Sequence, residues 1–300
     1  MNFCCQQNRR LGPLSFIRSR NAAAVCAAVG ALVAAASGCL PARADAPAVS
    51  APAPTPAPTP AVKHFLELKT DARGHLGGGT VLQGVHRIVC LGDSITQWGD
   101  GPTGYVGLVR AYLTSIYPAN GIEVINAGVA GNTAGDELAR FDRDVLQKKP
   151  DLITISVGVN DVMHRFDAAH PQGDGPGGLP LDQYRADADK MVTSAQQQGI
   201  TVVIFSPTVI GEDLGNAPNA MLVGYTNALH DIARSHKCLF VDLQHQFDTY
   251  IDIYRTTGHT DNLLAGDGVH MNDWGNRFMT ATILTALTSP VPKTVTLHAP

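Results

Sequence analysis

From Arg87 onward the chain alternates short apolar runs with longer stretches whose apolar residues recur three or four apart. Few folds accept that rhythm. The short runs cover 88–91, 124–126, 152–157, 201–205 and 238–241, and they read as buried strands. The intervening stretches, about 103–117, 134–147, 180–198 and 219–236, with a last one at 274–288, read as amphipathic helices. Strands without internal alternation, separated by helices, predict βαβ units and a parallel sheet covered on both sides. Five such strands in about 200 residues predict one three-layer α/β domain. In open parallel sheets ligands sit beyond the C-terminal ends of the strands. The polar motifs of this chain fall at those ends.

The preceding residues follow other rules. Residues 1–44 hold Arg9, Arg10, Arg18, Arg20 and Arg43 and no acid, and residues 22–36 (AAAVCAAVGALVAAA) form an apolar run too short to span a bilayer comfortably. This pattern predicts an export signal and a periplasmic or extracellular protein. Two processing sites stand: cleavage after Ala44, at Ala42-Arg43-Ala44, or lipidation of Cys39 after Ala36-Ser37-Gly38. Residues 45–84 form a linker, first an Ala/Pro spacer favouring polyproline II and then a Gly-rich stretch. A folded domain is predicted over 85–290, and 291–300 form a tail. Residues 45–300 carry 17 basic against 26 acidic side chains, a net of −9, which disfavours nucleic acid and anionic membrane surfaces. Membrane contact is expected only through a lipid on Cys39. Beyond the signal only Cys90 and Cys238 remain, each in a strand-like run, so two buried free thiols are expected.

Four blocks carry chemistry. After the first strand comes Gly92-Asp93-Ser94-Ile95-Thr96, where a serine in a strand-to-helix turn is either a nucleophile or a helix cap. After the second comes Asn126-Ala127-Gly128-Val129-Ala130-Gly131-Asn132-Thr133, whose glycines suit either close approach of a backbone amide to substrate or an ordinary turn. After the third, Gly158-Val159-Asn160-Asp161 offers an amide side chain to the same spot or a plain Asn-Asp turn. Ahead of the final helix, Asp267-Gly268-Val269-His270 places a carboxylate three residues before an imidazole. A carboxylate so placed fixes the tautomer and frees the other ring nitrogen to take a proton.

Taken together, the four blocks resemble the SGNH (GDSL-type) hydrolase family, in order and separation, over roughly 87–287. The resemblance implies a flavodoxin-like three-layer fold with a five-stranded parallel sheet and an esterase or lipase activity. It implies Ser94 as nucleophile, His270 as general base and Asp267 as the residue orienting it. Ser94 N–H, Gly131 N–H (Gly131 rather than Gly128) and the Asn160 side chain would form the oxyanion hole, with Asp93 and Asp161 as structural supports. No metal and no organic cofactor are implied.

Other features compete weakly. Gly99 to Gly104 matches G-x-G-x-x-G formally, but it follows the Ser94 turn instead of a strand. His164, His170 and His259 lack metal-ligand spacing. Trp98 and Trp274 lie four residues after Ser94 and His270, where each is a candidate sugar platform or a core residue. Long loops at 162–180 and 254–266 are expected to wall the site. No extended apolar groove is visible, which favours short acyl esters, O-acetyl groups of carbohydrates among them. The alternatives are a lysophospholipase or thioesterase, or a non-catalytic carbohydrate-binding envelope protein. The partner expected is a small-molecule or glycan ester; oligomeric state is not legible.

Overall fold

The computed structural model describes residues 79–290. The expected export signal, Cys39, the Ala/Pro spacer and the 291–300 tail lie outside the described residues. The sheet has five parallel strands in the order β2-β1-β3-β4-β5: β1 (Arg87–Gly92), β2 (Glu123–Gly128), β3 (Leu152–Ser156), β4 (Thr201–Phe205) and β5 (Leu239–Val241). Every side chain of β3 is buried, as expected of a strand covered on both faces.

That strand order fixes where the helices go. The chain steps one way from β1 to β2 through α2 (Tyr105–Ile116), then reverses to β3 through α3 (Ala134–Asp144). It continues in the second direction through α5 (Leu181–Gln197) to β4 and α6 (Ala217–His236) to β5. Right-handed crossovers put α2 on one face and α3, α5 and α6 on the other. Accordingly α3 packs on α5 and α5 on α6, whereas α2 packs on α8 (Asp273–Thr288). The order reverses between β1 and β3, and the crevice at such a switch point is where flavodoxin-like sheets bind ligands. Ser94 leaves β1 and Asn160 follows β3.

Three helices were not expected from the sequence. Two are single turns, α1 (Ser94–Trp98) and α4 (Val159–Met163), which begin at the chemical blocks themselves. The third, α7 (Leu243–Thr256), buries Leu243, Phe247 and Ile251 at four-residue spacing behind an Asp242 cap that accepts a hydrogen bond from the His245 N–H. It shortens the expected 254–266 loop at its start. Cys90 is buried, but Cys238 is only partly so, because it precedes the short edge strand β5; both thiols are free. Of the expected 162–180 loop, the first two residues belong to α4, and the rest is held by hydrogen bonds. Arg165 Nε donates to the Gly173 carbonyl (2.7 Å), and Tyr225 Oη donates to the Leu179 carbonyl.

Candidate active site

The site begins with a tight fit between α1 and the strand ends. A Cβ on Gly92 would overlap the Thr96 side chain, and one on Gly128 would overlap the Gln97 backbone nitrogen. Glycine at both positions lets α1 sit directly on the ends of β1 and β2. Asp93 caps α1, its Oδ1 accepting from the Ile95 N–H at 2.9 Å. Asn126 Nδ2 donates to the Thr96 carbonyl at 2.6 Å, and Gln97 Oε1 accepts from the Ala130 N–H at 2.7 Å. One turn of helix thus locates Ser94 and also sets the loop that carries Gly131.

Ser94, His270 and Asp267 form a continuous chain. Ser94 Oγ lies 2.8 Å from His270 Nε2, and His270 Nδ1 lies 2.7 Å from Asp267 Oδ2. The other carboxylate oxygen accepts from the backbone N–H groups of Val269 (2.9 Å) and His270 (2.7 Å). Partial burial pushes the Asp267 carboxyl up, but the hydrogen bonds from the His270 ring and these two amides outweigh it and hold it down at about 2. The carboxylate is therefore ionised at neutral pH, and its bond makes Nδ1 the protonated nitrogen and leaves Nε2 to accept from Ser94.

Gly131 stands at φ +80°, a left-handed conformation that favours glycine, and a Cβ there would meet nothing within 4 Å. Among the described residues neither its N–H nor that of Ser94 donates to a protein acceptor. Asn160 is buried. Its Nδ2 donates to the Asn132 carbonyl at 3.0 Å and, at a long 3.4 Å, to Asp93 Oδ2. Asp161 Oδ1 caps the first turn of α3, accepting from the Ala134 N–H at 2.9 Å. The structure thus brings Ser94, His270, Asp267 and Asn160 to one crevice, with Asp93 and Asp161 bonded beneath it. Trp98 and Trp274 are not core residues; they are 60% and 71% exposed, at the end of α1 and in the first turn of α8.

Three further residues, unmarked in the sequence, hold this arrangement. The buried Arg140 reaches the Gly92 carbonyl (2.9 Å), the Ala127 carbonyl (2.7 Å) and Asn132 Oδ1 (2.6 Å). Glu212 has no exposed side-chain surface. Its Oε1 accepts from the Leu264 and Ala265 N–H groups (2.6 and 2.7 Å) and its Oε2 from Leu263 (2.6 Å), and the Gly211 N–H donates to the Gly268 carbonyl. These bonds tie the Asp267–His270 turn to the end of the β4 loop. Glu137 is fully buried below Asp93 and Asp161, and neither carboxyl oxygen has a protein partner among the described residues. Burial pushes all three acids up, Asp93 to about 6 and Asp161 to about 7, and Glu137 well above the usual range, the last also through repulsion from the other two.

The weaker motifs resolve into packing. The Gly99 to Gly104 segment wraps on itself, since a Cβ on Gly104 would overlap the Gly99 backbone. His170 pairs with Asp167 at 2.9 Å, and His259 stacks on Tyr254 at 4.1 Å. Among the described residues no group of three or more His, Cys, Asp or Glu is arranged to hold a metal ion, and no helix is long and apolar enough to cross a membrane.

Comparison with known proteins gives the family. The family model described as GDSL-like Lipase/Acylhydrolase family matches residues 90–278. An acetylxylan esterase from Geobacillus stearothermophilus is 29% identical over 209 residues, covering 66% of this chain and 92% of that protein. The crystal structure of Axe2, an acetylxylan esterase from the same organism, is 27% identical, with a TM-score of 0.59 over 67% of this chain and 94% of that one. Structures of that enzyme described as catalytic mutants carry alanine in place of a serine, an aspartate or a histidine. The crystal structure of the acetyl xylan esterase AlAXEase is 32% identical, with a TM-score of 0.61 over 67% of this chain and 99% of that one. An arylesterase from Vibrio mimicus is 27% identical over 128 residues, 41% of this chain and 54% of that protein. The chain belongs to the GDSL-like lipase/acylhydrolase family and is a carboxylic ester hydrolase.

Two predictions follow from the supporting residues. Glu212→Gln puts an NH2 where a buried backbone donor needs an acceptor, so it should destabilise the protein by about 1–3 kcal/mol, read from denaturant titration. Between about pH 4 and the raised values of Glu137, Asp93 and Asp161, the folded chain holds protons that the unfolded chain has released. Stability therefore falls as pH rises through this window. Glu137→Gln removes its share, so the drop in Tm between pH 6 and pH 8 should shrink relative to wild type; an unchanged drop would place the burden elsewhere.

Proposed function

We propose that the protein is an exported serine esterase that removes short acyl groups, O-acetyl groups of carbohydrates above all, through an acyl-enzyme on Ser94. The observation that carries the mechanism is the continuous Ser94–His270–Asp267 chain, with both bonds below 3 Å, at the switch point of the sheet.

Ser94 Oγ attacks the ester carbonyl carbon while His270 Nε2 takes its proton, and the carbonyl electron pair moves onto oxygen. That oxyanion is received by the N–H groups of Ser94 and Gly131 and by the Asn160 amide. The long bond from Asn160 to Asp93 is the one an oxyanion displaces most readily. The oxyanion collapses, the C–O bond to the alcohol breaks, and His270 returns the proton to the departing oxygen. Water, deprotonated by the same nitrogen, then attacks the acyl carbon; the C–Oγ bond breaks, His270 returns the proton to Ser94 Oγ, and the carboxylic acid leaves. Asp267 orients the imidazole throughout, and Asp93 and Asp161 support the turns that carry Ser94 and Asn160.

Three features support a carbohydrate ester. Two of the similar proteins are acetylxylan esterases. Trp274 projects from the first turn of α8, four residues past His270, and Trp98 borders the base. Both indoles are exposed, and a sugar ring stacks on such a surface. The basic stretch and apolar run of residues 1–36 support export, with a lipid on Cys39 as the route to a membrane.

Acetate release from acetylated xylo-oligosaccharides, followed by NMR beside p-nitrophenyl esters of increasing chain length, tests this reading. Wild type should prefer acetyl esters, and Ser94→Ala should be inactive on all of them. Asn160→Ala should fold and lose about 10²–10³-fold in kcat. A long-chain optimum would favour a lysophospholipase or thioesterase, and activity in Ser94→Ala would overturn the mechanism.

A further inference from the structure

We infer that Trp98 is a positioning residue for the base: its indole, packed at a tilt against the His270 imidazole, keeps that ring facing Ser94 and shares in stabilising the positive charge it acquires. This inference rests on the assignment of Ser94 and His270 given above.

Both ring nitrogens of His270 are engaged in the plane of the ring, Nδ1 with Asp267 and Nε2 with Ser94. Two in-plane bonds on opposite sides of a ring still let it rock about the line joining them. A contact on the ring face stops that motion, and Trp98 supplies one, with ring centroids 4.0 Å apart and planes inclined at 42°. The indole is otherwise 60% exposed, so it is not there to fill the core.

The support is also rigid. Trp98 is the residue i+4 to Ser94 on α1, so nucleophile and indole stand on the same side of one helical turn. That turn is locked to β2 by Asn126 and to the Gly131 loop by Gln97. One five-residue element therefore gauges the distance between nucleophile and base. The carboxylates facing the ring are Asp267 on its own turn and Asp93 at the start of α1, and the Asp267 side chain is 60% exposed. Water screens an exposed carboxylate, so the imidazolium formed in each transition state gains from a second neighbour. The face of an indole attracts a cation, a modest gain at a site as exposed as this one.

Trp98→Leu keeps apolar bulk and removes the ring; Trp98→Phe keeps an aromatic face. With p-nitrophenyl acetate, which has no sugar to stack, Trp98→Leu should lower kcat and kcat/KM together by about three- to tenfold. KM and the circular dichroism spectrum should stay as in wild type, and Trp98→Phe should recover most of the loss. The chain has two tryptophans, so Trp274→Phe leaves Trp98 as its sole indole. Its emission should differ from that of the Trp274→Phe, His270→Ala double variant, because a ring 4.0 Å from the indole changes its surroundings. An unchanged kcat in Trp98→Leu, an equal loss in Trp98→Phe, or a rise in KM alone on acetylated xylo-oligosaccharide would overturn the inference, the last marking Trp98 as a sugar platform only. Activity surviving in Ser94→Ala would instead overturn the underlying mechanism.

Discussion

The guanidinium of Arg140 ties the ends of β1 and β2 and the loop that carries Gly131 to α3. At the end of a parallel sheet the last carbonyls keep acceptor capacity beyond the ladder, and that of Gly92 also accepts from the Val129 N–H at 2.9 Å. Here Gly92 ends β1 and Ala127 is the penultimate residue of β2, and Arg140 donates to both carbonyls while its Nε fixes Asn132 beside Gly131. A planar fork with five donors suits the task, and lysine does not offer that geometry. Burying the cation carries a desolvation penalty, and Asp144 at 3.3 Å offsets part of it. Glu137, whose ionised form Arg140 favours, lies close enough to respond to it.

Above that anchor the site is assembled from very short elements. Gly92 and Gly128 let α1 lie on the strand ends, so five residues carry the serine, the loop contact through Gln97 and the indole against His270. The opposite wall is held differently. The turn bearing Asp267 and His270 has no strand beneath it, and its position comes from Glu212 and Gly211, more than fifty residues earlier, together with an isolated bridge between Ala265 and Met271. Nucleophile and base thus stand on separate supports, and the bond between Ser94 and His270 spans the gap.

Much of this was legible in the chain. Buried strands announce themselves as unbroken apolar runs, and the five expected strands match the observed ones to within two residues at each end. The parallel sheet follows from alternation, whereas the strand order and its switch point came only with the fold; the four blocks fall at strand ends because that is where a parallel sheet exposes its loops. What escaped was non-local or very short. Single-turn helices such as α1 and α4 have no periodicity to detect. Helix α7 did carry a signal, Asp242 followed by Leu243, Phe247 and Ile251, although its polar flank of Gln244, His245, Gln246 and Asp248 hides it. Arg140, Glu137 and Glu212 look like ordinary charged helix or loop residues, since their value lies in contacts with backbone that only the folded chain brings near. The two tryptophans lay on the rim because the helices bearing them end or begin there, which periodicity alone does not reveal.

The most direct test of the account is covalent labelling with a fluorophosphonate, followed by peptide mass mapping. The reagent mimics the tetrahedral intermediate and reacts only with a serine activated by a neighbouring base. A single adduct on Ser94, nearly absent in His270→Ala, is the predicted result. A folded, ester-hydrolysing protein that leaves Ser94 unmodified, or that carries the adduct on another residue, would contradict it.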